Sequence, residues 1–286
     1  MAAVMPLIAI VGETASGKSA LAMEIAEHYH GEIIAADSRT IYKGMDIGTG
    51  KPTAADQRLV PHHGLDLVWP GESYTAANFQ RYAREVIHDI GGRGKLPILV
   101  GGSGLYLDSV IYNYAFDKQA DSVLRDELSA KSISELQAIL TEGLIPMPTN
   151  PLNKRHLIRQ IETGGVSQIR ELRPNTLILG IEIEKDVLEQ NVIRRVDAMF
   201  TAGLTREAEV LATAYSWNSE PMKGIGYREF HSYFEGQESL DGIREMIIKD
   251  TLQLAKRQRT WFRRNKSIHW IQKENYVDLV TTFLNK

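Results

Sequence analysis

Short apolar runs alternate with amphipathic segments from the start of the chain to about Phe116. The apolar runs predict buried strands, and segments whose apolar residues recur every three to four positions predict helices. Strands that alternate with helices indicate an α/β fold with a parallel sheet and helices on both faces. The predicted strands are Leu7–Val11, Glu32–Ala36, Leu65–Val68 and Lys95–Val100, and the predicted helices are Ala20–Tyr29, Ser73–Ile90 and a segment that begins at Leu105.

The pattern changes beyond Phe116. Residues 117–172 contain polar, helix-forming stretches without a clear strand, and Leu177–Ile183 then returns to an apolar run. We therefore predict a core domain of residues 1–116 and 173–286, with a small all-helical insertion domain at 117–172. Further helices are expected at 186–202, 205–214 and 239–264, and the Gly-, Pro- and Asp-rich residues 42–66 predict a long functional loop.

Composition narrows the class of protein. With 286 residues, 43% of them hydrophobic, the chain can bury a full core. We expect no signal peptide, because the first strand begins at once, and no membrane span, because no apolar run approaches about 18 residues. The absence of cysteine excludes disulfides, cysteine-bound zinc and thiol catalysis. These features predict a cytoplasmic protein, and the net charge of −3 alone does not indicate a nucleic-acid partner.

Residues 12–19 fit the phosphate-binding pattern G-x-x-x-x-G-K-[ST] between a predicted strand and a predicted helix, which indicates a P-loop NTPase-like core. Glycines let backbone N–H groups turn toward a phosphate, and the helix N-terminus adds positive character. Lys18 supplies a full charge, and the Ser19 hydroxyl is placed to bind Mg²⁺. ATP is the usual ligand, although any diphosphate fits. The residues expected to bind the diphosphate are Gly12, Thr14, Ala15, Ser16, Gly17, Lys18 and Ser19.

Two further positions follow predicted strands, and ligands of parallel sheets bind at the carboxyl ends of strands. Asp37 follows the second strand and is a candidate to accept a proton or hold a Mg²⁺-bound water; a turn aspartate is the alternative. Gly101–Gly104 bring backbone N–H groups and the Ser103 hydroxyl toward the same crevice. The alternative there is a tight turn with Ser103 as helix N-cap.

Three groups of basic residues are candidates for phosphate contacts. Arg155 and Arg159 lie one turn apart beside His156, and they suit nucleic-acid phosphates, a lid over a nucleotide, or a solvated helix face. Arg194 and Arg195 lie early in a helix that follows a core strand, from which one of them can reach the diphosphate. The alternative is a pair of surface residues.

The third group is the segment 256–266, which is dense in lysine and arginine and contains Trp261 and Phe262. Such a segment can follow a phosphate backbone. Alternatively, its charges favour the C-terminal end of a helix dipole and its aromatic side chains pack.

Six blocks of this sequence share their order and spacing with one family. They are Gly12–Ser19 (family GPTASGK[TS]), Ala36–Pro52 (ADSxQxYxGMDIGTxKP), Gly101–Tyr106 (GGTGLY), Arg155–Glu162 (RRVIRALE), Gly224–Glu229 (IGYKE) and Ala255–Arg263 (AKRQxTWFR). Together they resemble the bacterial tRNA dimethylallyltransferases, also called tRNA isopentenyltransferases, over nearly the whole chain.

The resemblance implies transfer of a dimethylallyl group from dimethylallyl diphosphate to the exocyclic amine of the adenine on the 3′ side of the tRNA anticodon. It implies that Asp37 accepts the amine proton, with Lys18, Ser19 and Ser103 also catalytic and Mg²⁺ as cofactor. A monomer is expected. The residues implied to bind tRNA, through the insertion and the basic helix among other elements, are Asp37, Ser38, Arg39, Thr40, Ser103, Arg155, His156, Arg159, Lys256 and Arg257.

The chain departs from the family pattern at three informative positions. Glu13 replaces a proline and is expected to face away from the phosphates, and Thr40 replaces a glutamine. In the segment 190–196, which matches the family's ERIxxRV, Asn191 replaces the first arginine. Three other functions fit part of the sequence. A P-loop kinase would use the same loop and Asp37, a prenyltransferase acting on free AMP would not need the basic insertion, and a nucleotide switch or RNA-binding module would not need catalytic groups.

Overall fold

The fold is built on a six-stranded sheet in the order β3-β2-β4-β1-β5-β6, with every pairing among the described residues parallel. The structure, a computed structural model, describes residues 4–114, 116, 122–165, 171–272 and 276–285. The predicted α/β fold with a parallel sheet is confirmed. The strands are β1 Leu7–Val11, β2 Gly31–Ala35, β3 His62–His63, β4 Leu96–Gly101, β5 Thr176–Ile181 and β6 Ile268–Ile271.

Helices connect these strands, and several begin at capping residues that the sequence supplies. The Thr75 hydroxyl, for example, accepts a hydrogen bond from the backbone N–H of Asn78, and the backbone N–H of Thr75 donates to the Asn78 side chain, which starts α3. The helices are α1 Lys18–His28, α2 Ala54–Leu59, α3 Ala76–Gly92, α4 Gly104–Ile111, α5 Ser122–Ala130, α6 Ile133–Glu142, α7 Lys154–Glu162, α8 Lys185–Thr201, α9 Leu204–Ala214, α10 Phe230–Phe234, α11 Leu240–Phe262 and α12 Val277–Leu284.

The central strands are buried on both faces. On one face, residues of α1 and α12 pack against alternate residues of the strands, namely Ile8, Ile10, Ile98, Val100, Leu177 and Leu179. The intervening residues Ala9, Leu99 and Ile178 are equally buried and point to the opposite face. Such continuous apolar strands are typical of a parallel sheet covered on both sides.

The chain divides into two compact units. One contains residues 1–112 and 172–286, and the other contains residues 113–171. The second unit includes α5, α6 and α7, whose small apolar core contains Leu128, Leu136, Leu140, Leu157 and Ile158. None of the helices in the described ranges combines the length and hydrophobicity needed to cross a lipid bilayer.

Some predicted elements differ from the structure. The strand predicted at Leu65–Val68 is wrong: that segment contributes only a single bridge from Val68 to Tyr42, and the edge strand is β3 instead. The predicted loop at 42–66 contains both α2 and β3. The elements β6 and α12 were not predicted, because one is a short, half-exposed edge strand and the other is only eight residues long.

Candidate active site

The phosphate-binding loop connects β1 to α1, as the sequence predicts. The Lys18 ammonium is buried in the loop and donates a hydrogen bond of 2.5 Å to the carbonyl oxygen of Glu13. The Ser16 hydroxyl is also buried and has no hydrogen-bond partner among the described residues. A buried donor without a partner costs free energy, so the loop favours a ligand that satisfies it. The loop is therefore arranged around an anion.

The strand ends that follow β2 and β4 meet beside this loop, because β4 lies between β2 and β1. Gly101 allows the two ends to approach closely, since a Cβ atom there would lie 2.0 Å from the carbonyl oxygen of Ala36. The Ser103 hydroxyl accepts a hydrogen bond of 3.0 Å from the backbone N–H of Ser38. Ser103 stands at the N-cap position of α4 without a side-chain capping bond, so its hydroxyl instead joins the two strand ends.

Asp37 lies half-buried at the same edge of the sheet. Its Oδ1 atom accepts a hydrogen bond of 2.8 Å from the backbone N–H of Arg39. This is the local turn that short acidic residues commonly form. The turn uses one carboxylate oxygen and fixes the side chain, and Oδ2 has no hydrogen-bond partner in the described part of the chain, so it is available to a substrate. The alternative that the sequence left open, a turn aspartate, is therefore compatible with a catalytic one.

Three charged groups from different elements influence one another here. Burial, together with the nearby charge of Arg195, lowers the pKa of Lys18 to about 8, while Asp37 and Glu13 act in the opposite direction. Burial also lowers the pKa of Arg195, and the carboxylate of Asp37 opposes that change. Two cations held close together in a buried site repel each other until an anion arrives. The cluster of Lys18, Arg195 and Asp37 is thus electrostatically suited to bind a polyanion.

The structure distinguishes the two arginines that the sequence proposed for the diphosphate. Arg195 is half-buried, donates from Nη2 to the carbonyl oxygen of Thr49 at 3.1 Å and belongs to the charged cluster. Arg194 is exposed and donates to Asn191 Oδ1 at 2.6 Å. Asn191, where the family pattern has an arginine, donates to the carbonyl oxygen of Ala15 at 3.1 Å. The arginine in the cluster is therefore Arg195, and Arg194 lies outside it.

Helix α11 contributes residues that were not predicted as site residues. Gln258 donates from Nε2 to the carbonyl oxygen of Gly102 at 3.0 Å and accepts a hydrogen bond of 2.8 Å from the backbone N–H of Thr14. Arg259 forms a bidentate pair with the buried carboxylate of Glu13, at 2.5 and 2.9 Å. Glu13 therefore faces α11. Gln258 matches the AKRQxTWFR pattern, which could have indicated it, whereas Arg259 occupies the variable position of that pattern.

The remaining residues assigned to tRNA occupy several elements. Arg39 is half-buried and donates to the carbonyl oxygen of Glu220 at 2.8 Å, while Thr40 is buried and its hydroxyl lacks a hydrogen-bond partner among the described residues. Lys256 and Arg257 are exposed on α11. In the second unit, exposed side chains of α7 form a basic surface, and they are Arg155, His156 and Arg159.

Metal binding was predicted at Ser19. The described ranges contain no group of three or more His, Asp or Glu side chains that could hold a metal ion by themselves. Ser19 is exposed in the first turn of α1, beside Lys18. Mg²⁺ commonly takes one or two protein oxygens together with water and substrate phosphate oxygens. A single hydroxyl next to an anion site fits that requirement.

Comparison with known proteins gives one consistent result. A family model described as IPP transferase matches residues 40–265, and one described as isopentenyl transferase matches residues 5–61. The tRNA dimethylallyltransferase of Pelotomaculum thermopropionicum is 40% identical over 291 aligned positions, which cover 96% of this chain and 92% of that protein. The tRNA dimethylallyltransferase of Bacillus subtilis is 36% identical, with coverage of 96% and 93%.

A solved structure shows the same similarity in three dimensions. It comes from Staphylococcus epidermidis and is described as a tRNA delta(2)-isopentenylpyrophosphate transferase. It superposes on this chain with a TM-score of 0.74 at 34% identity, and the alignment covers 99% of both chains.

Proposed function

The chain belongs to the tRNA dimethylallyltransferase family, and we propose that it transfers the dimethylallyl group of dimethylallyl diphosphate to an adenine of tRNA. The acceptor is the exocyclic amine of the adenine on the 3′ side of the anticodon. In this reaction the allylic carbon–oxygen bond breaks, a carbon–nitrogen bond forms, the amine loses a proton, and diphosphate leaves with the bonding electron pair. No oxidant or reductant is required.

One observation supports this proposal most directly: two cations, the buried Lys18 and the half-buried Arg195, lie close enough to Asp37 for all three charges to interact. The cations stabilise the negative charge that develops on the diphosphate as the carbon–oxygen bond breaks. Asp37 has a free carboxylate oxygen for the proton that the attacking amine releases. The site therefore provides groups for the leaving group and for the nucleophile.

The phosphate-binding loop would hold a leaving group here rather than a phosphate donor. An allylic carbon tolerates positive charge, so bond breaking can run ahead of bond formation once the diphosphate is stabilised. The N-terminus of α1 and the unpartnered Ser16 hydroxyl supply further donors. A kinase is not favoured, because the relatives reported above are named as transferases of a prenyl group to tRNA.

We propose that Mg²⁺ takes part through Ser19. When bound, the ion would neutralise part of the charge on the departing diphosphate. Ser19 supplies an exposed hydroxyl beside Lys18, an oxygen ligand of the type that Mg²⁺ prefers, and water and substrate phosphate oxygens would supply the others.

The tRNA partner requires two kinds of contact. The target adenine must leave its stack to reach Asp37, as bases that undergo chemistry generally do. The anticodon arm is held by its shape and phosphates. We propose that the exposed Arg155, His156 and Arg159 of α7, and the exposed Lys256 and Arg257 of α11, provide phosphate contacts.

The test combines the purified protein with Mg²⁺, dimethylallyl diphosphate labelled in its carbon chain, and an anticodon-arm transcript. Label should enter the transcript that carries adenine next to the anticodon and should not enter a matched transcript that carries guanine there. In parallel reactions, free AMP replaces the transcript as the acceptor, and ATP labelled in its terminal phosphate replaces dimethylallyl diphosphate as the donor. Transfer to AMP without transfer to RNA would instead indicate a prenyltransferase acting on free nucleotides, and phosphate transfer from ATP to a small acceptor would indicate a kinase.

A further inference from the structure

Glu207 of α9 uses both carboxylate oxygens to anchor a distant loop. Its Oε2 atom accepts hydrogen bonds from the backbone N–H groups of Asp46 and Ile47, at 3.0 and 2.9 Å. Its Oε1 atom accepts from the N–H of Gly48 at 2.9 Å and from the hydroxyl of Tyr227 at 2.8 Å. Hydrogen bonds to an ionised acceptor are stronger than neutral ones, and consecutive N–H groups form a concave anion site. The carboxylate therefore fixes the loop at 46–48.

The next two residues of this loop, Thr49 and Gly50, hold the guanidinium of Arg195 in place. The carbonyl oxygen of Thr49 accepts the hydrogen bond from Arg195 Nη2. Gly50 adopts a φ of +64°, and a Cβ atom there would lie only 2.0 Å from the same Nη2 atom. The guanidinium thus packs against the backbone of Gly50 and is hydrogen-bonded to the carbonyl group of Thr49.

The side chain of Arg195 has to be held in position because the positive charge of Lys18 repels it. The charge of Arg195 lowers the pKa of Lys18, which means that the two cations disfavour each other before the diphosphate binds. An unrestrained arginine side chain would relieve that repulsion by moving away, and the diphosphate would then have to order it on binding. A guanidinium that is already fixed presents its hydrogen-bond donors to the diphosphate without first having to be ordered.

We propose that Glu207 is a positioning residue for Arg195, acting through the backbone of residues 46–50 to hold the guanidinium where the diphosphate of the substrate binds. This inference rests on the proposed function for the identity of the ligand. Glu207 touches no reacting atom itself. It also lies outside the six blocks that resemble the family, so only the folded structure reveals its role.

The test measures binding of inorganic diphosphate with Mg²⁺ by calorimetry. Glu207→Gln preserves the size of the side chain but places an amide donor against backbone donors. We expect its Kd for diphosphate to rise about tenfold. The matched control is Glu209→Gln on the same helix, whose carboxylate is exposed and pairs with Arg206, and its Kd should stay within about twofold.

A double-mutant cycle separates positioning from general stability. In an Arg195→Lys background the guanidinium is absent, so adding Glu207→Gln should change the Kd by less than about twofold. Equal effects of Glu207→Gln in both backgrounds, or an unchanged Kd in the native background, would overturn the proposal. In the prenyl transfer assay, KM for dimethylallyl diphosphate should rise while KM for the tRNA stays constant.

Tyr227→Phe is the second variant. It removes only one of the bonds to Glu207 and retains the buried ring, so it tests the idea even if Glu207→Gln fails to fold. We expect its Kd for diphosphate to rise about two- to threefold, and an unchanged Kd would contradict the proposal. The binding assay needs neither tRNA nor prenyl transfer. If the native chain binds diphosphate through Arg195 but transfers no prenyl group, the proposed function fails while the role of Glu207 is still tested.

Discussion

The side-chain oxygen of Gln258 accepts the backbone N–H of Thr14 at 2.8 Å, which joins the far end of α11 to the phosphate-binding loop. The amide nitrogen of the same side chain donates to the carbonyl oxygen of Gly102 at 3.0 Å. One glutamine therefore links the loops that follow β1 and β4. This link commits the N–H of Thr14 to the protein and fixes the spacing of two loops that contact the substrate in the proposed reaction.

Replacing Gln258 should lower turnover without unfolding the chain. In Gln258→Ala both bonds are lost, and we expect kcat to fall about 10- to 100-fold because the two loops lose their fixed spacing. Gln258→Glu retains an acceptor for Thr14 but places an oxygen against the Gly102 carbonyl, so it should be impaired to a similar degree. The measurement is kcat in the prenyl transfer assay. Gln253→Ala, at an exposed position on the same helix, is the control, and equal activities of all three variants would rule out the linking role.

Asp37 offers a sharper test of the proposed general base. Asp37→Asn keeps an oxygen for the N–H of Arg39, so it retains the turn but removes the base. We expect turnover to fall roughly 10²- to 10⁴-fold for Asp37→Asn and Asp37→Ala alike, while tRNA binding is preserved. Single-turnover rates and filter binding measure the two effects. If Asp37→Asn retains near-native turnover while only Asp37→Ala is impaired, the residue serves the turn and not the proton transfer.

The buried ammonium of Lys18 predicts how substrate affinity depends on pH. Its pKa is lowered to about 8, chiefly by burial and then by Arg195, with Asp37 and Glu13 opposing. The protonated form binds the diphosphate, so the affinity should be constant below pH 8 and should weaken as the pH rises above it. Titration of dimethylallyl diphosphate between pH 6.5 and 9.5 checks this expectation. Lys18→Arg should flatten the dependence, and a native affinity that stays constant up to pH 9.5 would contradict it.

The sequence predicted the site better where chemistry depends on strand ends than where it depends on long-range packing. The phosphate-binding loop, Asp37 and Ser103 could be placed beside one another because parallel strands end at one edge of a sheet. The sequence could not show that Arg195, and not Arg194, belongs to the site. Neighbouring residues of a helix point in different directions, and which direction faces the site depends on how the helix packs. Glu207 was not anticipated because its backbone partners lie about 160 positions earlier in the chain.

The predicted position of the edge strand was wrong for a different reason. The strand predicted at Leu65–Val68 alternates apolar and polar residues as a strand should, yet only Val68 pairs, with Tyr42. The edge strand β3 consists of His62 and His63, whose side chains give no apolar pattern. It is held by tertiary contacts instead, including a hydrogen bond of 2.8 Å between His63 Nε2 and Glu32.

The basic surface of α7 predicts a salt effect on tRNA binding. Arg155 and Arg159 are exposed, and the nearest acidic partner of Arg159 is Glu162 at 3.8 Å. If both arginines contact phosphates, replacing each by alanine should weaken binding and reduce the slope of log K against log salt by about one. Filter binding over a range of KCl concentrations measures this slope. Arg206→Ala, an exposed arginine of α9, should leave the slope unchanged, and a loss of affinity for dimethylallyl diphosphate alone would instead support a lid role for α7.

Glu32 predicts a stability effect away from the site. Its buried carboxylate accepts hydrogen bonds from Arg93 at 2.5 and 2.8 Å, from Lys95 at 2.7 Å, and pairs with His63. The bonds from Arg93, followed by those from Lys95 and His63, hold the pKa of Glu32 well below its usual range, although burial opposes them. The carboxylate thus remains ionised in the folded chain at pH values where it would be protonated in the unfolded chain.

Glu32→Gln should therefore lower the free energy of unfolding by about 1–2 kcal/mol at pH 7, as charge-assisted hydrogen bonds are lost. A depressed carboxylate pKa stabilises the fold fully above the unfolded value of about 4.3, and this contribution disappears as the pH falls through the folded value. The difference between native chain and variant should accordingly shrink below about pH 4. Urea unfolding at pH 7, 5 and 3.5 measures it. The control is Asp89→Asn, which removes a largely exposed partner of the same Arg93 and should leave the unfolding midpoint unchanged. A Glu32→Gln variant as stable as the native chain at pH 7 would show that the buried cluster contributes no net stability.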